Sequence, residues 1–296
     1  MDARLEVLDV RGPVGVQDGG RAGHMHEGVP PGGALVPEWL AAANRAVGNG
    51  WSAAGLECHG ALELCVRGRG AWVSTGEAAF RVEAGVPFRV ASPARGVVRY
   101  VAVDGGLTVA GVLGGRGLLP VARLGGGVGR MLQRGDVLPL GPGGGERLAP
   151  EPGEPADTVR VVWGPDLGRF PPEAQEVLGA GPFTVSSTSD RVGMRLRGPA
   201  LPQSGTGVEV SGPMVRGALQ VPASGEPIVL GPDHPTLGGY PVLAVVIRAD
   251  WGVLAARRPG EAVRFRAVGV DEAREAWRRF TPGATTCPIP EGGAGS

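Results

Sequence analysis

The chain has 296 residues, which is enough to bury two modest hydrophobic cores, so two domains are expected. Its 29 basic residues balance 29 acidic residues, and a chain without net charge gives no electrostatic reason to expect nucleic acid or an anionic membrane as a partner. The sequence contains no lysine, which excludes a Schiff-base lysine and a lysine-dependent phosphate loop and leaves anion recognition to arginine and backbone amides.

Most of the predicted elements are short strands. The 54 glycines and 28 prolines favour turns over long helices. Strand patterns occur at residues 5–10, 61–66, 71–74, 79–82, 87–90, 97–103 and 158–163, a rhythm that favours an antiparallel barrel or sandwich. Two helices are predicted: one begins at Pro37 and stops at Gly48, and the other covers residues 271–280.

Composition also predicts the domain organisation. Residues 141–155 have the content of a linker, so we expect a first domain at residues 1–142, a linker at 143–157, a second domain at 158–282 and a disordered tail at 283–296. The three cysteines, Cys58, Cys65 and Cys287, are too few and scattered for a disulfide framework. With no secretion-type leader and no apolar run of roughly 20 residues, a cytoplasmic location is expected.

The most informative stretch is residues 14–57, a glycine-rich loop that feeds the first predicted helix. Gln17, Asp18 and Arg21 lie among four glycines within nine residues. Such a composition lets backbone N–H groups approach a ligand closely while a carboxylate and a guanidinium are presented beside them. This segment is therefore the first candidate for a binding site.

This stretch resembles a known family. The runs VQDGGRAG, GVPPGGAL, ANRAVGN and GLE follow the N-terminal signature of the biotin-dependent carboxyltransferase-like family, which includes the C-type subunit of bacterial 5-oxoprolinase and the carboxyltransferase domain of urea amidolyase. Four later runs are similar to the same family and extend the resemblance to about residue 264: RYVAVDGGL, SSTSDRVGMRLRG, GALQVPASGEPIVL and DHPTLGGYPVLA.

The resemblance implies a mainly β fold of two cyclophilin-like β-barrel domains with a cleft between them and a few short helices. It also implies ATP-driven opening of the 5-oxoproline lactam to L-glutamate. In that reaction the chain would work as the C-type subunit beside a B-type subunit and a third, lactam-binding subunit. Phosphorylation of the amide oxygen would supply the activation that a stable lactam needs. ATP with Mg would be bound either by this chain or only by the assembled complex.

For that reaction, the candidate catalytic residues are two arginines that match the geometry of phosphate or carboxylate and two aspartates that position water or a metal. They are Arg21, Arg191, Asp18 and Asp190. The candidate substrate-binding residues would hydrogen-bond the substrate or let the backbone approach it; they are Gln17, Gln220, Asp233, Thr236, Gly238, Gly239 and Tyr240. No set of residues with metal-ligand spacing is found, so no protein-held metal site is predicted.

Structural readings stand beside these roles. An aspartate in a loop commonly satisfies a local backbone turn, which applies to both Asp18 and Asp190. Arg21 and Arg191 would then be structural partners of those same aspartates. Glu57 reads either as a buried carboxylate with a shifted pKa or as a satisfied core group.

Two departures from the family pattern weaken the catalytic reading. Val36 stands where relatives usually have an aspartate, and Leu118 and Leu119 stand where they have a polar pair. Valine and leucine neither bind metal-bound phosphate nor move protons. The alternatives are therefore a non-catalytic regulatory subunit that binds and modulates a B-type partner, or a biotin-dependent carboxyltransferase. In the latter case biotin would be carried elsewhere, because this chain has no lysine.

Overall fold

The computed structural model describes residues 2–149, 157–204 and 211–280, and it is mainly β, as predicted. The strands of the first half are β1 Arg4–Arg11, β2 Val14–Gln17, β3 Gly55–Cys58, β4 Ala61–Arg67, β5 Ala71–Ser74, β6 Ala79–Val82, β7 Pro87–Val90, β8 Arg99–Val103 and β9 Val137–Pro139. Those of the second half are β10 Thr158–Trp163, β11 Phe183–Val185, β12 Gly193–Arg197, β13 Gly212–Pro213, β14 Ala218–Gln220, β15 Ile228–Leu230, β16 Leu237–Gly238, β17 Val242–Val246 and β18 Ala262–Ala267. The helices are α1 Pro37–Ala46, α2 Pro172–Ala180, α3 Trp251–Ala255 and α4 Val270–Phe280.

The first half contains two sheets around one hydrophobic core. The four-stranded sheet has the order β7-β4-β1-β9, and the five-stranded sheet has the order β2-β3-β8-β5-β6. Inward side chains of both sheets, including Leu5, Leu56 and Leu64, form the core. Strand β3 lies between β2 and β8, and its Glu57 stands opposite Tyr100 of β8. The carboxylate of Glu57 therefore lies on a central strand of the five-stranded sheet, where it is buried.

The second half closes into a seven-stranded barrel in the order β10-β17-β14-β15-β12-β11-β18. The barrel closes because β10 pairs in parallel with β18, and Val159 lies opposite Phe265. A separate two-stranded sheet of β13 and β16 lies outside it. The barrel interior is filled by apolar side chains such as Phe183, Leu219 and Leu243.

Both predicted helices are confirmed. Pro37 occupies the first turn of α1, Leu40 and Ala43 form its buried face, and Gly48 follows the helix with a positive φ of 77°. Helix α4 begins one residue before its predicted start. Helices α2 and α3 were not predicted, because α2 buries only Ala174 and Leu178 and α3 has five residues.

The predicted strands are confirmed, and four of the seven have the predicted bounds. The domain boundaries stay a prediction. Residues 143–149 of the predicted linker lie against the first half, where the N–H of Leu148 donates to the carbonyl of Arg45 at 3.1 Å and Arg147 stacks over Trp72. The rest of the linker up to residue 156, and the predicted tail at 283–296 with Cys287, lie outside the described residues.

The turn after β3 gives the first testable prediction. A Cβ on Gly60 would overlap the backbone carbonyl of Arg11, so we expect Gly60→Ala to lower the free energy of unfolding by about 1–3 kcal/mol. The matched control is Gly168→Ala, because a Cβ on Gly168 has no heavy atom within 4 Å. Thermal and denaturant unfolding of both variants checks this, and equal stability of the two would contradict it.

Candidate functional site

The two halves meet at residues 31–36, the junction loop, which lies between β2 and α1. The second half holds this loop by its backbone. The N–H of Gly32 donates to the carbonyl of Pro232 at 3.0 Å, and Arg216 donates to the carbonyls of Ala34 and Leu35 at 3.1 and 2.8 Å. These bonds fix how the first half docks on the barrel.

Arg191 joins the halves through charge. Its guanidinium donates to both carboxylate oxygens of Asp233 at 2.7 and 3.0 Å, to Glu57 at 2.6 Å and to the carbonyl of Gly33 at 2.7 Å. Glu57 and Gly33 belong to the first half, and Asp233 belongs to the second. Burial alone lowers the pKa of Arg191, but Glu57 and Asp233 outweigh it and raise the pKa above its ordinary value. Arg191 is therefore a permanent cation between two carboxylates.

Glu57 is fully enclosed. Its carboxylate accepts hydrogen bonds from the N–H of Leu35 at 2.8 Å and the hydroxyl of Tyr100 at 2.6 Å. Burial raises the pKa of Glu57, but Arg191, His59 and these two hydrogen bonds prevail and hold it at about 2. Burial and the Glu57 charge raise the pKa of Tyr100 well above its ordinary value, so its hydroxyl stays a donor. Glu57 thus reads as a satisfied, ionised core group with a lowered pKa.

Two further charged side chains, buried Arg216 and half-buried Glu38, lie at the edge of the same junction. Burial, together with the charge of Arg191, lowers the pKa of Arg216 to about 10. Its guanidinium stacks over Trp251 at 4.5 Å. Burial raises the pKa of Glu38 to about 7, although Arg216 and the N–H of Gly252 oppose the shift. Sequence reasoning missed Arg216, since a single arginine before an apolar strand carries no spacing signal.

Gln17, Asp18 and Arg21 come together against residues 112–118. Gln17 Nε2 donates to the carbonyl of Leu118 at 2.8 Å, and Arg21 Nη2 donates to the carbonyl of Gly117. Asp18 accepts from the N–H of Arg116 at 2.6 Å. The structure therefore brings these three predicted residues together, and the segment that contacts them is residues 112–118.

Two polar groups in this cluster have unused hydrogen-bonding capacity. Gln17 Oε1 is buried and has no hydrogen-bond partner in the described part of the chain. Arg21 is only 2% exposed, and among the described residues no carboxylate lies within 4.0 Å of it and no acceptor bonds its Nη1. A Cβ on Gly117 would lie 2.6 Å from Gln17 Oε1, so only glycine fits beside this oxygen. An unmatched acceptor and an unmatched donor therefore lie on one loop.

Both candidate aspartates make local turns. Asp18 Oδ1 accepts from the N–H of Gly20 at 2.9 Å, and Asp190 Oδ1 accepts from the N–H groups of Val192 and Gly193 at 2.9 and 3.0 Å. The alternative reading paired each arginine with its neighbouring aspartate. In the structure Arg191 pairs with Glu57 and Asp233 instead, and Arg21 donates to backbone carbonyls. Adjacent side chains in a turn point in different directions, so Asp190 bonds the local backbone while Arg191 reaches residues distant in sequence.

The remaining predicted residues surround β16. Gln220 Nε2 donates to the carbonyl of Tyr240 at 3.3 Å, and a Cβ on Gly238 would lie 2.9 Å from that nitrogen. Thr236 accepts a backbone bond from Met214, and half-buried Gly239 connects β16 to Tyr240, whose side chain is exposed. The carboxylate of Asp233 accepts hydrogen bonds from Arg191. The candidates thus fall into three groups, at the loop of Gln17, at Arg191 and around β16.

The positions that depart from the family pattern are buried. Val36, Leu118 and Leu119 are each at most 3% exposed, and the N–H of Val36 donates to the hydroxyl of Tyr100. Their side chains therefore pack against the protein. Within the described ranges no three His, Cys, Asp or Glu residues are grouped to hold a metal ion, and none of the helices there is long and apolar enough to span a bilayer.

Removing one partner of Arg191 tests this network. We expect Glu57→Gln to lower the free energy of unfolding at pH 7 by about 3–5 kcal/mol, because it leaves a buried cation half-compensated. Since the pKa of Glu57 is about 2 when folded and 4.5 otherwise, its contribution is complete above pH 4.5 and is lost as the pH falls towards 2. The variant should show a flatter pH dependence over that window.

The matched control is Glu63→Gln. Glu63 lies 3.3 Å from Arg89, whose side chain is 83% exposed. We expect it to cost at most about 1 kcal/mol and to keep the wild-type pH profile. Denaturant unfolding between pH 2 and pH 7 measures both variants. A Glu57→Gln variant as stable as the control would contradict the network.

Comparison with known proteins agrees with this architecture. The chain matches the family described as carboxyltransferase domain, subdomain A and B, over residues 27–267. It is 32% identical to the C-type subunit of 5-oxoprolinase from Escherichia coli (strain K12) over 279 residues, which covers 88% of this chain and 90% of that protein. It is 31% identical to the C-type subunit of 5-oxoprolinase from Haemophilus influenzae over 294 residues, with 93% and 94% covered.

A solved structure agrees as well. The urea carboxylase of Kluyveromyces lactis superposes on this chain with a TM-score of 0.85 at 25% identity, covering 95% of this chain and 29% of that one. The chain spans under a third of that larger enzyme, so the likeness concerns one part of it. On the family match and the two 5-oxoprolinase relatives, the chain belongs to the carboxyltransferase domain family with subdomains A and B.

Proposed function

We propose that this chain is the C-type subunit of an ATP-dependent 5-oxoprolinase, which opens the 5-oxoproline lactam to L-glutamate together with partner subunits. The two relatives that carry this name cover about nine-tenths of both chains in each comparison. Their naming as a subunit supports membership of a multi-subunit enzyme. A B-type subunit of 5-oxoprolinase and a third, lactam-binding subunit are the partners in this proposal.

The observation that carries the proposal at the level of chemistry is the unmatched pair at Gln17 and Arg21. A 5-oxoproline molecule offers a lactam N–H, which needs an acceptor, and a carboxylate, which needs a donor. Gln17 Oε1 is an acceptor without a hydrogen-bond partner in the described ranges. Arg21 Nη1 is a donor that makes no hydrogen bond there, since Arg21 donates only through Nε and Nη2. Both side chains are buried, so a hydrogen bond formed there is strengthened by the low dielectric of the interior.

Each residue then has a role in the proposal. Arg21 binds the substrate carboxylate, and Gln17 accepts the lactam N–H. Asp18 is a positioning residue, because both its oxygens hold backbone N–H groups of the surrounding loops. Arg191 keeps the two halves in register. Asp190 remains the candidate to position water, since its other carboxylate oxygen makes no hydrogen bond within the described ranges.

In this proposal the residues around β16 line the substrate site from the side of the second half. Gln220 and Tyr240 supply polar groups, and Gly238 allows close approach of a ligand to the backbone. ATP with Mg fits the described residues less well. Mg bound to a nucleotide is held by phosphate oxygens, water and one or two carboxylates, and the candidate carboxylates Asp18, Asp190 and Asp233 already accept hydrogen bonds within the chain. We therefore assign the nucleotide, which activates the amide oxygen, to the assembled complex.

A second function has its own support. The buried Val36, Leu118 and Leu119 remove polar groups beside the junction loop and Gln17, and this favours a regulatory subunit that binds a B-type partner without turnover. The comparison with urea carboxylase keeps biotin-dependent carboxyl transfer as a third reading. In that case biotin must arrive on another protein, because this chain contains no lysine.

Reconstitution separates these functions. We expect this chain, mixed with its presumed partner subunits, to release glutamate from 5-oxoproline only when ATP and every component are present. Loss of turnover on omission of this chain supports the enzyme-subunit proposal. The contrary outcome has two parts: this chain forms a stable complex with its partners by size-exclusion chromatography, and turnover is equally fast when this chain is omitted. That result would instead identify a regulatory subunit.

Arg21 gives a sharper test within that complex. We expect Arg21→Gln to lower kcat/KM for 5-oxoproline by about 10- to 100-fold through loss of a charge-assisted hydrogen bond. A lactam without the carboxylate, 2-pyrrolidone, should be a poor substrate with nearly the same kcat/KM for the wild-type and variant complexes. The control is Arg258→Gln, an exposed arginine that also donates to backbone carbonyls. An equal loss on both lactams would contradict carboxylate binding by Arg21.

A further inference from the structure

Helix α1 of the first half lies against helix α3 of the second half. The contact is close, because a Cβ on Gly252 of α3 would overlap the carboxyl group of Glu38 on α1 and lie 3.0 Å from Val36. Ala255, at the end of α3, packs against the apolar cluster that contains Leu40 of α1. The two halves therefore meet through these helices as well as through the junction loop.

Glu38 brings an incompletely bonded carboxyl group into this contact. It is the second residue of α1, directly after Pro37. Its Oε2 is buried and has no hydrogen-bond partner in the described part of the chain. Glu57 differs, because both of its carboxylate oxygens accept hydrogen bonds. An ionised oxygen without a partner costs far more free energy in a protein interior than a neutral one, so the geometry at Glu38 favours the protonated carboxyl group.

The charges of the junction agree with a protonated Glu38. Arg191 and Arg216 supply two positive charges. Glu57 and Asp233 supply two negative charges, so an ionised Glu38 would add a fifth, unbalanced charge. Among the described residues no carboxylate lies within 4.0 Å of Arg216, which donates to backbone carbonyls instead. Burial therefore prevails over the attraction of Arg216 and raises the pKa of Glu38 to about 7.

The other charged groups near Glu38 are paired or keep one charge. Asp250, just before α3, accepts from Arg160 at 2.6 and 3.0 Å. Burial lowers the pKa of His234, and Arg216 lowers it further, so this imidazole is neutral. Strand β5 and helix α3 contribute no titratable side chain to the packing around α1. The charged and titratable residues on α1 and on the other elements packed against it are Arg45, Glu57, Arg99, Tyr100, Arg216 and Asp250.

We propose that the proton on Glu38 controls the contact between α1 and α3: the neutral carboxyl group lies against Gly252, and its ionisation loosens the two helices. The inference stands apart from the proposed function, because it concerns this chain alone. The junction loop ends at Val36, two residues before Glu38, and the same loop is bonded to the backbone of Asp18 and Arg21. The controlled contact thus borders the segment that holds the candidate site.

Linkage gives the direction of the pH effect. The pKa of Glu38 is about 7 in the folded chain and 4.5 otherwise, so the folded chain binds this proton more tightly. This group therefore favours folding most below pH 4.5, and its contribution falls as the pH rises to 7 and is constant above that. The difference between the two pKa values corresponds to a change of roughly 300-fold in the equilibrium constant for unfolding.

Glu38→Gln tests the proposal, because glutamine has nearly the same shape and does not ionise. In denaturant unfolding between pH 4.5 and pH 8, we expect the unfolding equilibrium constant of the wild-type chain to rise at least tenfold relative to that of the variant. A constant offset between the two chains does not affect this comparison, since the change with pH is what is measured. Glu38→Met, which places an apolar side chain of similar size there, should give the same profile.

The matched control is Glu173→Gln. Glu173 is exposed and also follows the proline that begins a helix, α2. The control therefore loses the same favourable charge at a helix N-terminus and should keep the wild-type pH profile.

Hydrogen exchange locates the effect. After correction for the intrinsic exchange rate, the amides of residues 252–256 should lose protection between pH 5 and pH 8 in the wild-type chain and keep it in Glu38→Gln. Parallel stability profiles for the wild-type chain and both Glu38 variants would overturn the proposal. Exchange at these amides that is the same in the wild-type chain and in Glu38→Gln would overturn it as well, and so would a Glu173→Gln profile equal to that of Glu38→Gln.

Discussion

The structure depends on the pairing of one buried guanidinium with carboxylates from both halves. Arg191 contacts Glu57 of the first half and Asp233 of the second, at 2.6–3.0 Å. A guanidinium removed from water is tolerated only with well-aligned partners, and its planar geometry accepts few arrangements. The two halves can therefore dock in one register. The net stabilisation by such a pair is small, because removing the charges from water offsets their attraction, whereas losing one partner is costly.

This register determines the geometry around Gln17 and Arg21. The N–H of Arg21 donates to the carbonyl of Pro31 at 2.7 Å, and the N–H of Ala34 donates to the carbonyl of Asp18 at 3.0 Å. The loop with the polar side chains is thus bonded to the junction loop, which the barrel holds through Arg191 and Arg216. Gln17 and Arg21 belong to the first half of the chain, but contacts from the second half fix their position.

The sequence predicted what local chemistry determines and missed what long-range contacts determine. The β class, helix α1 and the strands of the first half followed from alternation, Pro37 and Gly48. The composition of the glycine-rich loop marked Gln17 and Arg21 as candidate site residues, and the structure places them side by side against residues 112–118. The pairing of Arg191 with Glu57 spans 134 residues, and no local pattern encodes it. Arg216 was missed for the same reason, since its partners are backbone carbonyls of any residue type.

The glycines of residues 114–127 have a reason beyond turn formation. A Cβ on Gly115 would lie 3.2 Å from the Cβ of Arg21, and one on Gly117 would lie 2.6 Å from Gln17 Oε1. The wall around the two polar side chains is consequently made of backbone. Backbone carbonyls orient the guanidinium without neutralising it, as carboxylates would. Glycine at positions 115 and 117 therefore leaves the charge of Arg21 without a carboxylate partner among the described residues, and a side chain at either position would collide with the polar loop.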